Sequence, residues 1–218
     1  MSDPCPWLPP HFEPLEILAD GKRLTREECG ANDAGRETLI PRIEAARARL
    51  PPFAPPSTVE RVIEVGSWAG AHALKLAHFL AKPVQIVCVD TWAGTDASRA
   101  DSTTSIAQTL TPGVVYSVFQ KNTKHDPHIT SIRSPSVVAG RVAKPESAAC
   151  VFIDADHSYH AVSNDLRVWW PVVVKGGLFA GHDYHLFPGV KRAVNEWAKV
   201  NGYDVIVEGE CWFVEKSL

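Results

Sequence analysis

From Arg61 onward, short apolar runs alternate with stretches of helical spacing. The runs near 61–66, 84–90, 129–134, 149–154 and 177–182 have the length and β-branched content of buried strands. Between them, Ala71–Leu80, Val114–Lys124, Tyr159–Val173 and Val190–Val200 repeat apolar residues at three- and four-residue intervals, which predicts helices. That alternation is the pattern of βαβ units around a parallel sheet. The chain ends differently. Tyr203–Val207 and Trp212–Glu215 are separated only by Glu208-Gly209-Glu210-Cys211, so a hairpin is expected, with the last strand antiparallel to its neighbour. The predicted architecture is α/β, a doubly wound sheet of seven strands, mostly parallel with an antiparallel C-terminal hairpin.

Residues 1–57 are set apart by proline clusters at Pro4–Pro14 and Pro51–Pro56. Between the clusters, Arg36–Leu50 has a helical face of Leu39, Ile43 and Ala46, with Arg42, Arg47 and Arg49 on what reads as a solvated side. A Pro-rich helical N-terminal cover over 1–57 and a main domain over 58–218 follow. The stretch from Thr95 to His128 is too long for a plain connection and is expected to be a surface insertion carrying one or two helices, such as a lid.

A chain of 218 residues suits one substantial core. A net charge of -3 and a pI near 6.3 lack the basic footprint of a phosphate-gripping protein, so no nucleic-acid partner is expected. The five cysteines are widely spaced without a C-x-x-C pair, and Cys88 and Cys150 read as reduced core residues. No signal peptide and no apolar run of membrane-spanning length is evident, which predicts a cytoplasmic protein without a membrane partner.

Two strings carry chemistry. Glu64-x-Gly66-x-x-x-Gly70 leaves a predicted strand and opens a predicted helix, so its glycines can turn the chain tightly beside a ligand. The spacing is not G-x-G-x-x-G, which disfavours a dinucleotide. Asp90, at the end of the next strand, is placed to accept hydrogen bonds from ribose hydroxyls, and Trp92 either stacks on a base or packs in the core. The second string, Asp154-Ala155-Asp156-His157, ends one strand, while His182 and Asp183 end another. In a parallel sheet those ends meet, and crowded carboxylates there need a proton or a cation. His182 would ligate the ion or orient a carboxylate, Asp156 could cap the helix beginning near Ser158, and His157 could accept a hydroxyl proton.

These residues resemble the class I S-adenosylmethionine-dependent methyltransferases over about residues 58–218. The resemblance implies a Rossmann-like seven-stranded methyltransferase sheet. Glu64, Gly66 and Gly70 match the loop under the methionine moiety, Asp90 the ribose-binding acid, and Arg133 and Ser134 the segment enclosing adenine. The implied cofactor-facing set is Glu64, Gly66, Ser67, Trp68, Gly70, Asp90, Thr91, Trp92, Arg133, Ser134, Asp154 and Asp156. Asp154 with His182 and Asp183 also resembles the metal set of the cation-dependent O-methyltransferases, which implies Mg2+ or Mn2+, with His157 in the place of that group's lysine base. His182 departs from the usual carboxylate. The wider run of His157-Ser158-Tyr159, Asp165-Leu166, Trp170-Pro171, Gly176-Gly177, Gly181-His182-Asp183-Tyr184 and Gly189-Val190-Lys191-Arg192-Ala193-Val194 is similar to a bacterial branch associated with sugars and natural products, which implies a saccharide or other small-molecule acceptor. A rival reading is an iron oxygenase using His157, His182 and Asp183, although the usual H-x-D spacing is absent. A non-catalytic cofactor-binding protein is a third, and self-association into a homo-oligomer stays open.

Overall fold

The computed structural model describes residues 5, 7–13, 37–50, 60–93 and 113–218. Residues 95–112 of the expected insertion, Pro4, Pro6 and Pro14 of the first proline cluster and the whole of the second lie outside them. The elements, in chain order, are α1 (Leu39–Arg49), β1 (Arg61–Val65), α2 (Ala71–Phe79), β2 (Gln85–Asp90), α3 (Val114–Thr123), β3 (Ile129–Arg133), α4 (Ser136–Val142), β4 (Ala148–Ile153), α5 (Tyr159–Trp169), a 3-10 turn (Trp170–Val172), β5 (Val173–Gly181), α6 (Pro188–Asn201), β6 (Ile206–Glu208) and β7 (Cys211–Glu215). The seven strands lie in the order β3-β2-β1-β4-β5-β7-β6. β1 to β5 pair in parallel, and β7 runs antiparallel to both β5 and β6. The order reverses between β1 and β4, and in open α/β sheets such a switch point is where ligands bind, beyond the carboxyl ends of the strands.

The inner strands β1, β4, β5 and β7 are mostly apolar because both faces are covered, whereas the edge strand β3, Ile129–Arg133, is largely exposed. Val62, Ile86, Cys88, Cys150, Phe152, Leu178 and Phe213 face one cluster with α1, α2 and α3. Ile63, Val65, Val89, Val151, Ile153, Phe179 and Trp212 face the other with residues of α5 and α6. The period of two along each strand assigns alternate residues to the two layers. Cys5, Cys88, Cys150 and Cys211 are buried, and burial pushes the thiols of Cys88 and Cys150 well above the ordinary range.

The N-terminal region is part of this packing. Leu39, Ile43 and Ala46 enter the core, and the arginines expected on a solvated face instead tie α1 down. Arg42 pairs with Glu208 at 2.5 Å, and Arg47 donates to the carbonyls of Ala81 and Pro83. A sequence pattern gives the face of a helix but not its partners. Three boundaries also differ from expectation. α4 was not anticipated, since seven residues hold too few turns for a helical period to show. α5 stops at Trp169 because Pro171 forces a 3-10 turn, and β5 starts early, at Val173. β6 starts at Ile206 rather than Tyr203, with Gly209 at φ 58 making a tight turn. Among the described residues, no helix is long and apolar enough to cross a membrane.

Candidate active site

The first turn of the site is fixed by the chain itself. Past β1, Gly66 takes φ 92, and its N–H donates to the Val89 carbonyl at 2.8 Å. The Asp154 N–H donates to the Val65 carbonyl at 2.7 Å, so the ends of β2, β1 and β4 are laced together. A Cβ on Gly66 would lie 2.0 Å from the Asp154 carbonyl oxygen. Gly70, at φ 88, starts α2, where a Cβ would press on Thr123 and Phe119 of α3. Both glycines are therefore demanded by backbone and packing.

Asp90 is the strut of this loop. Its Oδ2 accepts from the N–H groups of Ser67 and Trp68, each at 3.0 Å, and its Oδ1 from that of Trp92 at 2.8 Å. A carboxylate offers about four lone-pair sites, so little more than one is left for a ribose. Burial raises the Asp90 pKa, and the three N–H bonds oppose it. Trp68 and Trp92, which the strut grips, sit at φ 45 and 50, a region costly for a bulky side chain.

A cavity of about 380 Å3 opens at the switch point. Of the expected cofactor residues, Gly66, Trp68, Asp90, Thr91, Asp154 and Asp156 line it. The others stand behind it or outside. Glu64 is buried and meets His72 Nδ1 at 2.5 Å. Ser67 is buried as well, with its hydroxyl unpartnered. Trp92 is only 1% exposed, packs on Tyr116 and Phe119 and donates Nε1–H to the Trp68 carbonyl, so its core reading holds and no face is free for a base. Arg133 lies over the Tyr116 ring and donates to the Thr91 carbonyl. Ser134 serves through its backbone, bonding to the Asp90 carbonyl. The cavity is instead closed by Pro135, by Ser136 and Val137 at the start of α4, and by Ala161, Asn164 and Asp165 of α5. Ser-Pro-Ser after a strand end is a helix-start signal that could have located the turn, but nothing in the sequence aims α5 at it.

Beside the cavity stands the acid and histidine cluster. Ligand atoms of Asp154, His182 and Asp183 lie within 4.8 Å of one another. His157 Nε2 is 2.8 Å from Asp183 Oδ2 and 3.8 Å from Asp154 Oδ1, while His182 Nδ1 is 3.2 Å from Asp183 Oδ1. The 2.8 Å contact is a close ion pair whose angles are not those of a hydrogen bond. Asp183 is held at φ 62. Burial opposes charge on His157, but Asp154 and Asp183 outweigh it and raise the imidazole pKa to about 10. Burial likewise opposes the Asp183 anion, yet His157 and His182 hold it well below the usual carboxylate range. His157 is clamped from outside by the Phe187 ring, stacked at 4.2 Å between centroids. Asp156 does not cap α5. Ser158 does, accepting the Ala161 N–H, while Asp156 Oδ1 accepts the Ser158 N–H one step earlier.

Two hard carboxylates and an imidazole within one coordination radius are a donor set suited to a divalent cation. His182 Nε2 is buried with no hydrogen-bond partner, which fits a site that a cation completes.

The solved structures that share this fold include the O-methyltransferase NovP, at 15% identity and a TM-score of 0.66 over 84% of this chain and 79% of that one. The calicheamicin methyltransferase CalS11 aligns at 13% identity and a TM-score of 0.57 over 88% and 80% of the chains. The apo form of CalS11, a TDP-rhamnose 3'-O-methyltransferase, aligns at 14% and 0.51 over 88% and 87%. No curated protein sequence matches. The family described as Methyltransferase domain matches residues 63–184, more than half of the chain, from within β1 to the turn after β5. With the switch-point cavity and Asp90 at its wall inside that span, the chain belongs to the methyltransferase-domain family and is an S-adenosylmethionine-dependent methyltransferase.

Proposed function

We propose that the enzyme moves the sulfonium methyl of S-adenosylmethionine to a hydroxyl oxygen of a small-molecule acceptor, a saccharide, with a divalent cation at Asp154, His182 and Asp183. The observation that carries this reading is the meeting of those three side chains and His157 at a cavity edge that they share through Asp154. CalS11, which has this fold, is a TDP-rhamnose 3'-O-methyltransferase, and this supports a sugar hydroxyl as acceptor here.

Asp90 and the Gly66 turn hold the cofactor at the switch point, and Asp154 places the acceptor side next to it. A bound Mg2+ or Mn2+ would supply positive charge that lowers the pKa of an acceptor hydroxyl. Asp154 and Asp183 also control His157. While they face it as anions, the imidazole is protonated at neutral pH and cannot act as a base. Once their charge is committed elsewhere, burial alone governs His157 and favours its neutral form, whose Nε2 can accept the hydroxyl proton. The O–C bond then forms as the S–C bond breaks, leaving neutral S-adenosylhomocysteine.

Acceptor sugars and polyhydroxylated natural products, incubated with the cofactor and Mg2+ or Mn2+ and read by mass for an added methyl, test this. Transfer that chelation abolishes and either ion restores is expected. Full activity of Asp183→Ala in excess chelator would overturn the metal role, and methylation only of nitrogen or carbon would overturn the hydroxyl.

A further inference from the structure

The connection from β5 to α6, residues 182–187, runs past the acid and histidine cluster, and the turn between β6 and β7 holds its backbone from the other side. Glu210 in that turn accepts three successive N–H groups. The Tyr184 N–H donates to its carbonyl at 3.0 Å, and those of His185 and Leu186 donate to its Oε2 at 2.9 and 3.0 Å. The Tyr184 hydroxyl is tied a second time, to Asn195 Oδ1 at 2.8 Å, and the Phe187 N–H donates back to the Asp183 carbonyl at 3.2 Å. For the backbone of His185 and Leu186, whose side chains are exposed, Glu210 is the only hydrogen-bonded anchor among the described residues.

What this loop carries inward is Phe187, 8% exposed, whose ring lies on that of His157 at 4.2 Å between centroids and 16° between planes. Two residues on, Gly189 brings the start of α6 against the backbone of the same histidine, where a Cβ would lie 2.7 Å from the His157 carbonyl oxygen. His157 thus has its backbone against α6 and one ring face against Phe187. An imidazole that moves protons is ordinarily oriented by a hydrogen bond at a ring nitrogen. His157 Nε2 has no such partner, so the plane of the ring rests on the stack. A stack is only as fixed as the loop that presents it. Hydrogen bonds to a carboxylate are roughly twice as strong as neutral ones, and Glu210 directs two of them at the crest of that loop.

We propose that Glu210 is a positioning residue for methyl transfer: by fixing residues 184–187 it holds Phe187 on His157 and sets the plane in which Nε2 meets the acceptor hydroxyl. This rests on His157 taking the hydroxyl proton. Misplacing a reacting group by about 1 Å can cost up to about 100-fold in rate. Cofactor affinity should not follow, because Glu210, Phe187 and His157 all lie outside the cavity lining.

The His157 imidazole resonance, identified by its absence from His157→Ala, reports the stack in chelator with no substrate present. Ring current from Phe187 should hold the His157 Cε1–H upfield in the wild type, and both Phe187→Leu and Glu210→Ala should release that shift. Glu210→Gln, whose amide oxygen still accepts both N–H groups, should keep it. A wild-type resonance in Glu210→Ala means that the loop holds Phe187 unaided, and the proposal falls. With a sugar that the mass assay shows to be methylated, Glu210→Ala should lower kcat by about 10-fold at unchanged S-adenosylhomocysteine affinity. The same substitution should cost nothing further in His157→Ala, because the two act through one group. Equal losses in both backgrounds would place the effect of Glu210 elsewhere and overturn the proposal. Should Glu210→Ala not fold, Phe187→Leu decides: wild-type kcat without the stacked ring overturns it. Wild-type turnover in His157→Ala would instead bring down the base reading, and the positioning role with it.

Discussion

Gly66 and Gly202 separate two costs that are usually mixed. Both have positive φ, 92 and 73, but a Cβ would meet the Asp154 carbonyl at 2.0 Å in the first case and nothing within 4 Å in the second. Gly202→Ala should therefore cost about 1 kcal/mol from backbone strain alone, and Gly66→Ala roughly 3 kcal/mol or more, since the ends of β1 and β4 must part. Denaturant midpoints of the two variants check this. At the acid cluster, His157→Ala removes the group placed to take the hydroxyl proton, and turnover should fall by about 10²–10⁴-fold. S-adenosylhomocysteine affinity should stay near wild type, because His157 does not line the cavity. Single-turnover measurement on folded, cofactor-saturated variant reads the chemical step, and unchanged rates would pass the proton to another acceptor.

Among the elements, α3 does more than cover the sheet. Asn122, near its end, is 1% exposed and accepts the Glu13 N–H at 2.8 Å while donating to the carbonyls of Glu13 at 3.0 Å and Ala69 at 2.9 Å. One side chain thus ties the N-terminal segment and the turn before Gly70 to the same helix. Cys5, Leu8 and Phe12 pack on Leu74 beside it. Asn122→Ala leaves these backbone groups without partners and should cost roughly 2–3 kcal/mol. Hydrogen exchange should show the Glu13 amide losing protection first, while the strand amides of β1 and β4 keep theirs.

For the whole molecule, the His157–Asp183 pair links stability to pH at both ends. The folded His157 pKa is raised from 6.5 to about 10, so its stabilisation is complete below pH 6.5 and is lost as pH climbs to about 10. The folded Asp183 pKa is lowered from 3.8, so its stabilisation is present above pH 3.8 and is lost only as pH falls well below it. Thermal melts in chelator should hold a plateau between those limits and decline on the alkaline side, and His157→Ala should flatten that alkaline decline. Added Mg2+ or Mn2+ should raise the melting temperature in proportion to the logarithm of its concentration, and Asp183→Ala should abolish that gain.

The sequence by itself determined the layered α/β architecture, because strands buried on both faces must be apolar throughout while helices carry a period of 3.6, and the two signals do not mix. It also determined which residues end the strands, and so that Gly66, Asp90, Asp154 and Asp183 share one edge. Only the tertiary structure decided what each does there. Asp90 is largely engaged by three backbone N–H groups, Glu64 is bonded to His72, and Trp92 is sealed in the core, because those partners come from turns and helices whose approach no local pattern encodes. The same holds for Asp165. In the chain it is one acid in a helix, and it reaches the cavity only because α5 packs against α4, bringing it within 2.5 Å of Ser136 across 29 residues of sequence.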